Sequence, residues 1–249
     1  MFRPARQGNT NHAECAQASG TASGLWPYGC APVNVRIMLV NPRTGPVKAG
    51  VVLVPKRFVA DKAVMHSAQG IANTGFAVRV LELTRQPRTI DNVSLDEIVH
   101  GVQQVKQAAR ELRKTMGGGK KVGTVGAWLG GTLALLACDE ELDACVVVCP
   151  FIKLPVADDV ILRQPLEVVS KSRAPILAVF GELDSEVPIE DVRELERVLS
   201  TSPLDDETYT YAGVGHAFFD NEEGNNEYRE AGERDLWTRI DRFFAQRMF

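Results

Sequence analysis

Cysteine is scarce in this sequence of 249 residues: five cysteines occur, an odd number, and no two form a C-x-x-C pair. These features argue against a disulfide framework and against a zinc site built from paired cysteines. Three of the cysteines lie in apolar segments, where cysteine usually behaves as a small hydrophobic residue. We therefore expect a reducing, cytoplasmic location, no metal site and no cofactor.

Long hydrophobic runs and an excess of one charge are also missing. The longest apolar runs, ACVVVCPF (144–151) and GVVLVP (50–55), have the length of strands and are too short to span a bilayer. The first residues, MFRPARQGNTNHAEC, lack the apolar core of a secretory signal. A net charge of −4 gives no electrostatic reason for binding nucleic acid or an anionic membrane. We expect neither partner, and we expect a monomer or a homodimer.

The composition changes near residue 33. Residues 1–32 are rich in small and polar residues and predict an irregular extension. Residues 33–249 alternate between strand and helix patterns, which predicts a single α/β domain with a doubly wound parallel sheet. Strands are predicted at 33–40, 50–55, 76–83, 122–126, 144–149, 174–181 and 206–212, and helices near 60–74, 94–114, 129–138, 188–200 and 233–248.

Three short motifs follow predicted strands: GAWLGG (126–131), GELDSEVP (181–188) and YAGVGHAF (211–218). Sheets of this type bind ligands at the carboxyl ends of their strands. The order of a glycine-flanked turn, an acid and a histidine is that of the α/β-hydrolase triad. A carboxylate fixes the tautomer of a histidine and stabilises its protonated form, so we predict a catalytic pair of Asp184 and His216.

Together these motifs resemble the dienelactone hydrolase family, in which they read G-x-C-x-G-G, G-x-x-D-x-x-x-P and Y-x-G-x-G-H-x-F. The resemblance covers residues 45–246. It implies an α/β-hydrolase fold, with a mostly parallel central sheet and helices on both faces. It also implies hydrolysis of small esters or lactones, and hence a small carbonyl compound as ligand.

The sequence departs from the family pattern at four places around the expected site, one of which is Leu81-Glu82-Leu83-Thr84 in place of the family's P-D-L-Y. Trp128 stands where the family has its nucleophile, and an indole cannot attack a carbonyl carbon. Lys56 stands where the family usually has a glutamate, and no arginine follows His216 in AFFDNEE. Dienelactone itself is therefore not the expected substrate. A bulky residue with positive φ costs about 1–3 kcal/mol, and we expect Trp128 to be a plug or a stacking platform.

Further candidates surround the predicted pair. Leu129, Lys56 and Arg57 are candidates for an oxyanion hole or for the cleft wall. For the two cations, surface charge, contact with an anionic ligand and contact with the acidic loop after His216 are alternatives. Cys149, at the end of a predicted strand, is either a displaced nucleophile or a buried strand-end cysteine, because a reactive thiol needs a partly exposed, electropositive setting.

Three functions remain open on the sequence. The pair could act as a general base without covalent catalysis, and an open cleft beside His216 would favour this function. The protein could be a non-catalytic family member that binds a small molecule or a protein, and a cleft filled by Trp128 would favour that. It could also be an esterase with a displaced nucleophile, which requires a thiol within reach of the imidazole.

Overall fold

The structure is a computed structural model and describes residues 35–117, 119–138, 141–155 and 164–249. The predicted extension at 1–32 lies outside the described residues. All described residues belong to one compact unit of the chain.

A seven-stranded sheet forms the centre of the described part, with the strand order β1-β3-β2-β4-β5-β6-β7. Its strands are β1 (Arg36–Val40), β2 (Ala49–Val54), β3 (Phe76–Glu82), β4 (Val122–Ala127), β5 (Ala144–Val148), β6 (Ile176–Gly181) and β7 (Glu207–Tyr211). Strand β1 pairs antiparallel with β3, and the other neighbours are parallel. The inner strands are continuous apolar runs because helices cover both of their faces.

Within the described residues, five helices lie between consecutive strands and a sixth follows β7: α1 (Lys62–Asn73), α2 (Leu95–Met116), α3 (Trp128–Leu136), α4 (Pro165–Val169), α5 (Ile189–Ser200) and α6 (Glu230–Met248). Helix α2 starts at the predicted capping box, in which Ser94 and Glu97 satisfy each other's backbone N–H groups. Helix α4 was not predicted, because its five residues, PLEVV, are too few to show helical periodicity.

Two apolar clusters lie on opposite faces of the sheet. One cluster contains buried residues of α2, α3 and α5, such as Leu112, Leu133 and Leu195. The other contains buried residues of α1 and α6, such as Ile71 and Phe244. This arrangement confirms the predicted α/β-hydrolase fold class, with helices on both faces of a mostly parallel sheet.

The carboxyl ends of β2, β4, β5, β6 and β7 lie side by side, because these five strands are consecutive neighbours and parallel. All candidate residues from the sequence follow one of these five ends. Within the described ranges, no helix combines the length and apolar character needed to cross a membrane.

Candidate active site

The turn from β4 into α3 is a sharp strand-to-helix reversal. Trp128 is the first residue of α3 and has a φ of 50°, which is in the left-handed region. A Cβ atom on Gly126 would clash with the carbonyl of Gly130, so the close approach requires glycine. The backbone at Trp128 is therefore strained, at a sharp strand-to-helix turn (the elbow) that requires glycine at position 126.

Asp184 and His216 are in direct contact at the ends of β6 and β7. His216 Nδ1 lies 2.8 Å from Asp184 Oδ2, and the two side chains are 4% and 2% exposed, respectively. The other oxygen of Asp184 accepts the N–H groups of Glu186 and Val187 at 2.8 and 2.9 Å. Gly181 brings the loops together, since a Cβ there would press on the carbonyls of Val214 and Gly215.

These contacts favour the ionised form of Asp184. Burial raises the pKa of Asp184, but the hydrogen bond and charge of His216, with the two backbone N–H groups, outweigh it and hold the pKa below its usual range. A carboxylate at Nδ1 keeps the Nδ1–H tautomer and leaves the Nε2 lone pair free.

The outer nitrogen of His216 is buried and unpaired. His216 Nε2 has no hydrogen-bond partner among the described residues. A carboxylate oxygen of Glu186 lies 3.7 Å away, beyond hydrogen-bond distance, on a side chain that is 55% exposed. The sequence analysis did not single out Glu186, and its only sequence signal is its position two residues after Asp184.

Trp128 covers one face of the histidine. The indole and imidazole rings stack with centroids 4.9 Å apart and an interplanar angle of 22°. The indole Nε1–H also donates to the backbone oxygen of His216 at 3.3 Å. Lys56 Nζ and the Arg57 guanidinium carbon each lie 5.2 Å from the indole centroid. Trp128 therefore packs beside His216 as a stacking platform.

Lys56 is a buried side chain in ion pairs with two carboxylates, and it is not a surface charge. Its ammonium lies 2.5 Å from Asp220 and 2.9 Å from Glu222. Arg57 is partly exposed and lies 3.5 Å from the other oxygen of Glu222. Both cations thus contact the acidic loop after His216, one of the alternatives from the sequence. The ion pairs hold the loop after β2 against the loop after β7.

Leu129 is the second residue of α3, and its side chain is buried. An N–H at this position has no acceptor within its own helix, because the first four N–H groups of a helix are unpaired.

Cys149 directly follows β5 and lies close to the pair. Its thiol, a carboxylate oxygen of Asp184 and a ring nitrogen of His216 lie within 4.8 Å of one another. Burial and the negative charge of Asp184 raise the pKa of the Cys149 thiol well above its usual range. The residue is fully buried, and this environment favours the protonated thiol over the thiolate.

The spacing of these three donor atoms is short enough for them to share a metal ion. However, both oxygens of Asp184 already accept hydrogen bonds from the protein. The carboxylate is therefore satisfied without an ion.

Backbone strain is concentrated around this site. Among the described residues, three non-glycine residues have a positive φ: Phe58 at 69°, Trp128 at 50° and Cys149 at 46°. Each follows a different strand of the five whose carboxyl ends meet. Such conformations persist only where the surrounding structure imposes them, and they are frequent at functional sites.

Comparison with known proteins agrees with this geometry. Residues 35–248 match the dienelactone hydrolase family. The chain belongs to this family. It is 26% identical over 215 residues to a putative carboxymethylenebutenolidase of Yersinia pestis, covering 82% of this chain and 79% of that protein. It is 27% identical over 143 residues to a carboxymethylenebutenolidase of Rhodococcus opacus, covering 57% and 56% of the two chains.

Solved structures of similar fold include a putative dienelactone hydrolase from Klebsiella pneumoniae, with a TM-score of 0.68 and 18% identity, covering 85% of this chain and 93% of that one. Esterase 2 of Thermogutta terrifontis, phosphorylated by paraoxon, also has a TM-score of 0.68, with 15% identity and coverage of 85% and 88%. These likenesses show the fold of this family member; its chemistry depends on its own residues.

Proposed function

We propose that this dienelactone hydrolase family member acts on small esters, lactones or related carbonyl compounds by general-base catalysis, without an acyl-enzyme. The observation that supports this function is the difference between the surroundings of the two ring nitrogens of His216. Its Nδ1 is held by Asp184 at 2.8 Å, while its Nε2 is buried and has no hydrogen-bond partner among the described residues. A buried, unpaired imidazole nitrogen backed by a carboxylate is ready to accept a proton.

In the proposed step, His216 Nε2 takes a proton from a water molecule. The water oxygen forms a bond to the carbonyl carbon, and the carbonyl electron pair moves to oxygen. When this tetrahedral intermediate collapses, the bond to the leaving oxygen breaks, and that oxygen takes the proton back from Nε2. Asp184 stays ionised and stabilises the imidazolium throughout.

Trp128 occupies the nucleophile position in this proposal. This assignment is supported by its φ of 50° directly after β4 and by the stacking of its indole on His216. The N–H of Leu129, next along α3, would donate to the oxyanion, and removal of such a donor typically costs about 10²–10³-fold in kcat. Lys56 is held by two carboxylates, so its role in the proposal is to position the cleft wall.

The direct test compares wild type with His216→Gln and Asp184→Asn on p-nitrophenyl acetate and on small lactones. We expect both variants to lose about 10²–10⁴-fold of the rate above background, the usual range for general acid–base catalysis. His66→Ala, a change at an exposed histidine of α1, is the matched control and should keep full activity. A burst of p-nitrophenol equal to the enzyme concentration would reveal an acyl-enzyme and contradict the proposal.

A second candidate function is supported by the position of Cys149, whose thiol lies near both members of the pair. In that case Cys149 would be a displaced nucleophile and the protein an ordinary esterase. Against it stand the full burial of the thiol and its raised pKa, since the thiolate is the reactive form.

Two experiments distinguish the two functions: trapping of an acyl-enzyme and substitution of Cys149. If Cys149 is the nucleophile, mass spectrometry after acid quenching finds the acyl group on the peptide that contains Cys149, and Cys149→Ala abolishes turnover. If the general-base function is correct, no acylated peptide accumulates, and Cys149→Ala retains measurable turnover. Inertness of wild type towards all substrates would instead favour the non-catalytic function, in which Trp128 fills the cleft.

A further inference from the structure

Carboxylates dominate the surroundings of the unpaired histidine nitrogen. Asp184 and Glu186 face the two nitrogens of His216, and Asp220 and Glu222 line the loop that follows it. The cations in contact with this group are Lys56 and Arg57. Of these six charged groups, four are carboxylates and two are cations.

The two cations offer little attraction to an incoming anion. Lys56 is 9% exposed and pairs with both Asp220 and Glu222. Arg57 is 37% exposed, and Glu222 lies 3.5 Å from its guanidinium. An anionic ligand would have to break the pairs of buried Lys56 before it gained that cation, and at Arg57 it would meet the nearby negative charge of Glu222.

Glu186 is the most exposed of these four carboxylates. Its side chain is 55% exposed and ends 3.7 Å from His216 Nε2, the atom at which the proton transfer takes place. Any carbonyl compound that reacts at Nε2 therefore approaches within a few ångströms of this charge. A negative charge on the ligand is repelled by the Glu186 carboxylate, and a positive charge is attracted by it.

We propose that Glu186 makes this site select neutral or cationic carbonyl compounds and discriminate against compounds that carry a carboxylate near the reacting carbonyl. The proposal rests on the general-base function above, because it assigns the substrate charge of that same site. Glu186 is the residue that determines this specificity.

The test uses three p-nitrophenyl esters that differ in the charge at the end of a short acyl chain. They are the butyrate, the 4-(trimethylammonio)butyrate and the hemiglutarate. For each ester, kcat/KM is divided by the uncatalysed rate at the same pH, which removes differences in intrinsic reactivity. We expect wild type to prefer the neutral and cationic esters to the anionic ester by about fivefold or more, as for one partly screened charge pair.

Glu186→Gln keeps the shape of the side chain and removes its charge. We expect this variant to reduce the preference about threefold to fivefold, and 0.5 M NaCl to reduce it in wild type. Glu190→Gln, the same change at an exposed position in the first turn of α5, is the matched control and should keep the wild-type preference. Equal efficiency of wild type on all three esters, or an unchanged preference in Glu186→Gln, would overturn the proposal.

Ligand binding separates this proposal from the function on which it rests. If none of the esters is hydrolysed, the general-base function fails, and the charge preference is measured by the quenching of Trp128 fluorescence. The probes are 4-(trimethylammonio)butyramide and glutaramate, with Trp128→Phe as the blank. Tighter binding of the cationic amide to wild type, reduced in Glu186→Gln, supports the charge preference; equal binding of both amides contradicts it.

Discussion

The indole of Trp128 lies nearly parallel to the imidazole of His216, with ring centroids 4.9 Å apart and an interplanar angle of 22°. The indole Nε1–H bonds the backbone oxygen of the same histidine. Two contacts therefore tie the elbow to the histidine loop. A face-to-face contact leaves the ring edge free of the indole, and the nitrogen that accepts the proton in the proposed reaction lies on that edge, where it is buried.

The elbow strain predicts an unusual order of stability at position 128. We expect Trp128→Gly to be more stable than Trp128→Ala by about 1 kcal/mol, because only glycine adopts a φ of 50° without strain. Urea unfolding of both variants measures the difference.

The control for this prediction is Gln107, an exposed residue within α2. There the glycine variant should be less stable than the alanine variant by about 1 kcal/mol. The same order at position 128 as at position 107 would show that the backbone of Trp128 is not strained.

A second prediction concerns the glycine before the elbow. We expect Gly126→Ala to destabilise the fold by about 3 kcal/mol or more or to prevent soluble expression, because the added Cβ collides with backbone that cannot move away cheaply. Gly70→Ala in α1 is the matched control, since a Cβ there meets nothing within 4 Å. Alanine should stabilise that exposed helical position by up to about 1 kcal/mol. Equal melting temperatures of the two variants would contradict the close approach at the elbow.

The Asp184–His216 contact predicts how stability depends on pH. The pKa of Asp184 lies below its usual range in the folded protein, so its contribution is fully present above the ordinary aspartate pKa of about 3.9. That contribution is lost as the pH falls through the lower folded-state value. We expect wild type to lose more stability than Asp184→Asn between about pH 5 and pH 3, measured by urea unfolding at each pH.

Asp241 provides the opposite case. Burial raises its pKa, only partly offset by the Thr74 hydroxyl. A raised carboxyl pKa stabilises the fold at low pH, and that contribution is lost as the pH rises through the folded-state value. Asp241→Asn should therefore lose more stability on acidification than wild type. The same direction of change in both variants would contradict the opposite shifts.

The buried ion pair of Lys56 and Asp220 gives a fourth prediction. Lys56→Met should cost about 3–5 kcal/mol, because it leaves the buried carboxylate of Asp220 without its cation. Lys56→Met combined with Asp220→Leu should recover most of that loss, since no unpaired charge remains. The unfolding free energies of wild type, Lys56→Met, Asp220→Leu and the double variant together form a double-mutant cycle that measures the interaction. Additive losses in the double variant would show that the two residues do not interact.

Much of the architecture was predictable from local sequence patterns. Continuous apolar runs such as ACVVVC mark strands buried on both faces, and the Ser94 to Glu97 spacing marks the start of α2. Helix α4 was missed because a single turn carries no periodic signal. Periodicity and capping are properties of residues that are neighbours along the chain. They can therefore be read where an element is long enough or has a cap, and they are missing from a five-residue helix such as α4.

By itself the sequence determined the family, the alternation of strands and helices, and the presence of an acid and a histidine after consecutive strands. The tertiary structure decided which side chains meet. It buried Lys56 against Asp220, 164 residues away, and stacked Trp128 on His216. It also placed the Cys149 thiol and the Glu186 carboxylate beside the pair. Such contacts depend on the lateral order of the strands and on the directions of loops at one edge of the sheet. That order is set by packing of the whole chain, and no local pattern encodes it.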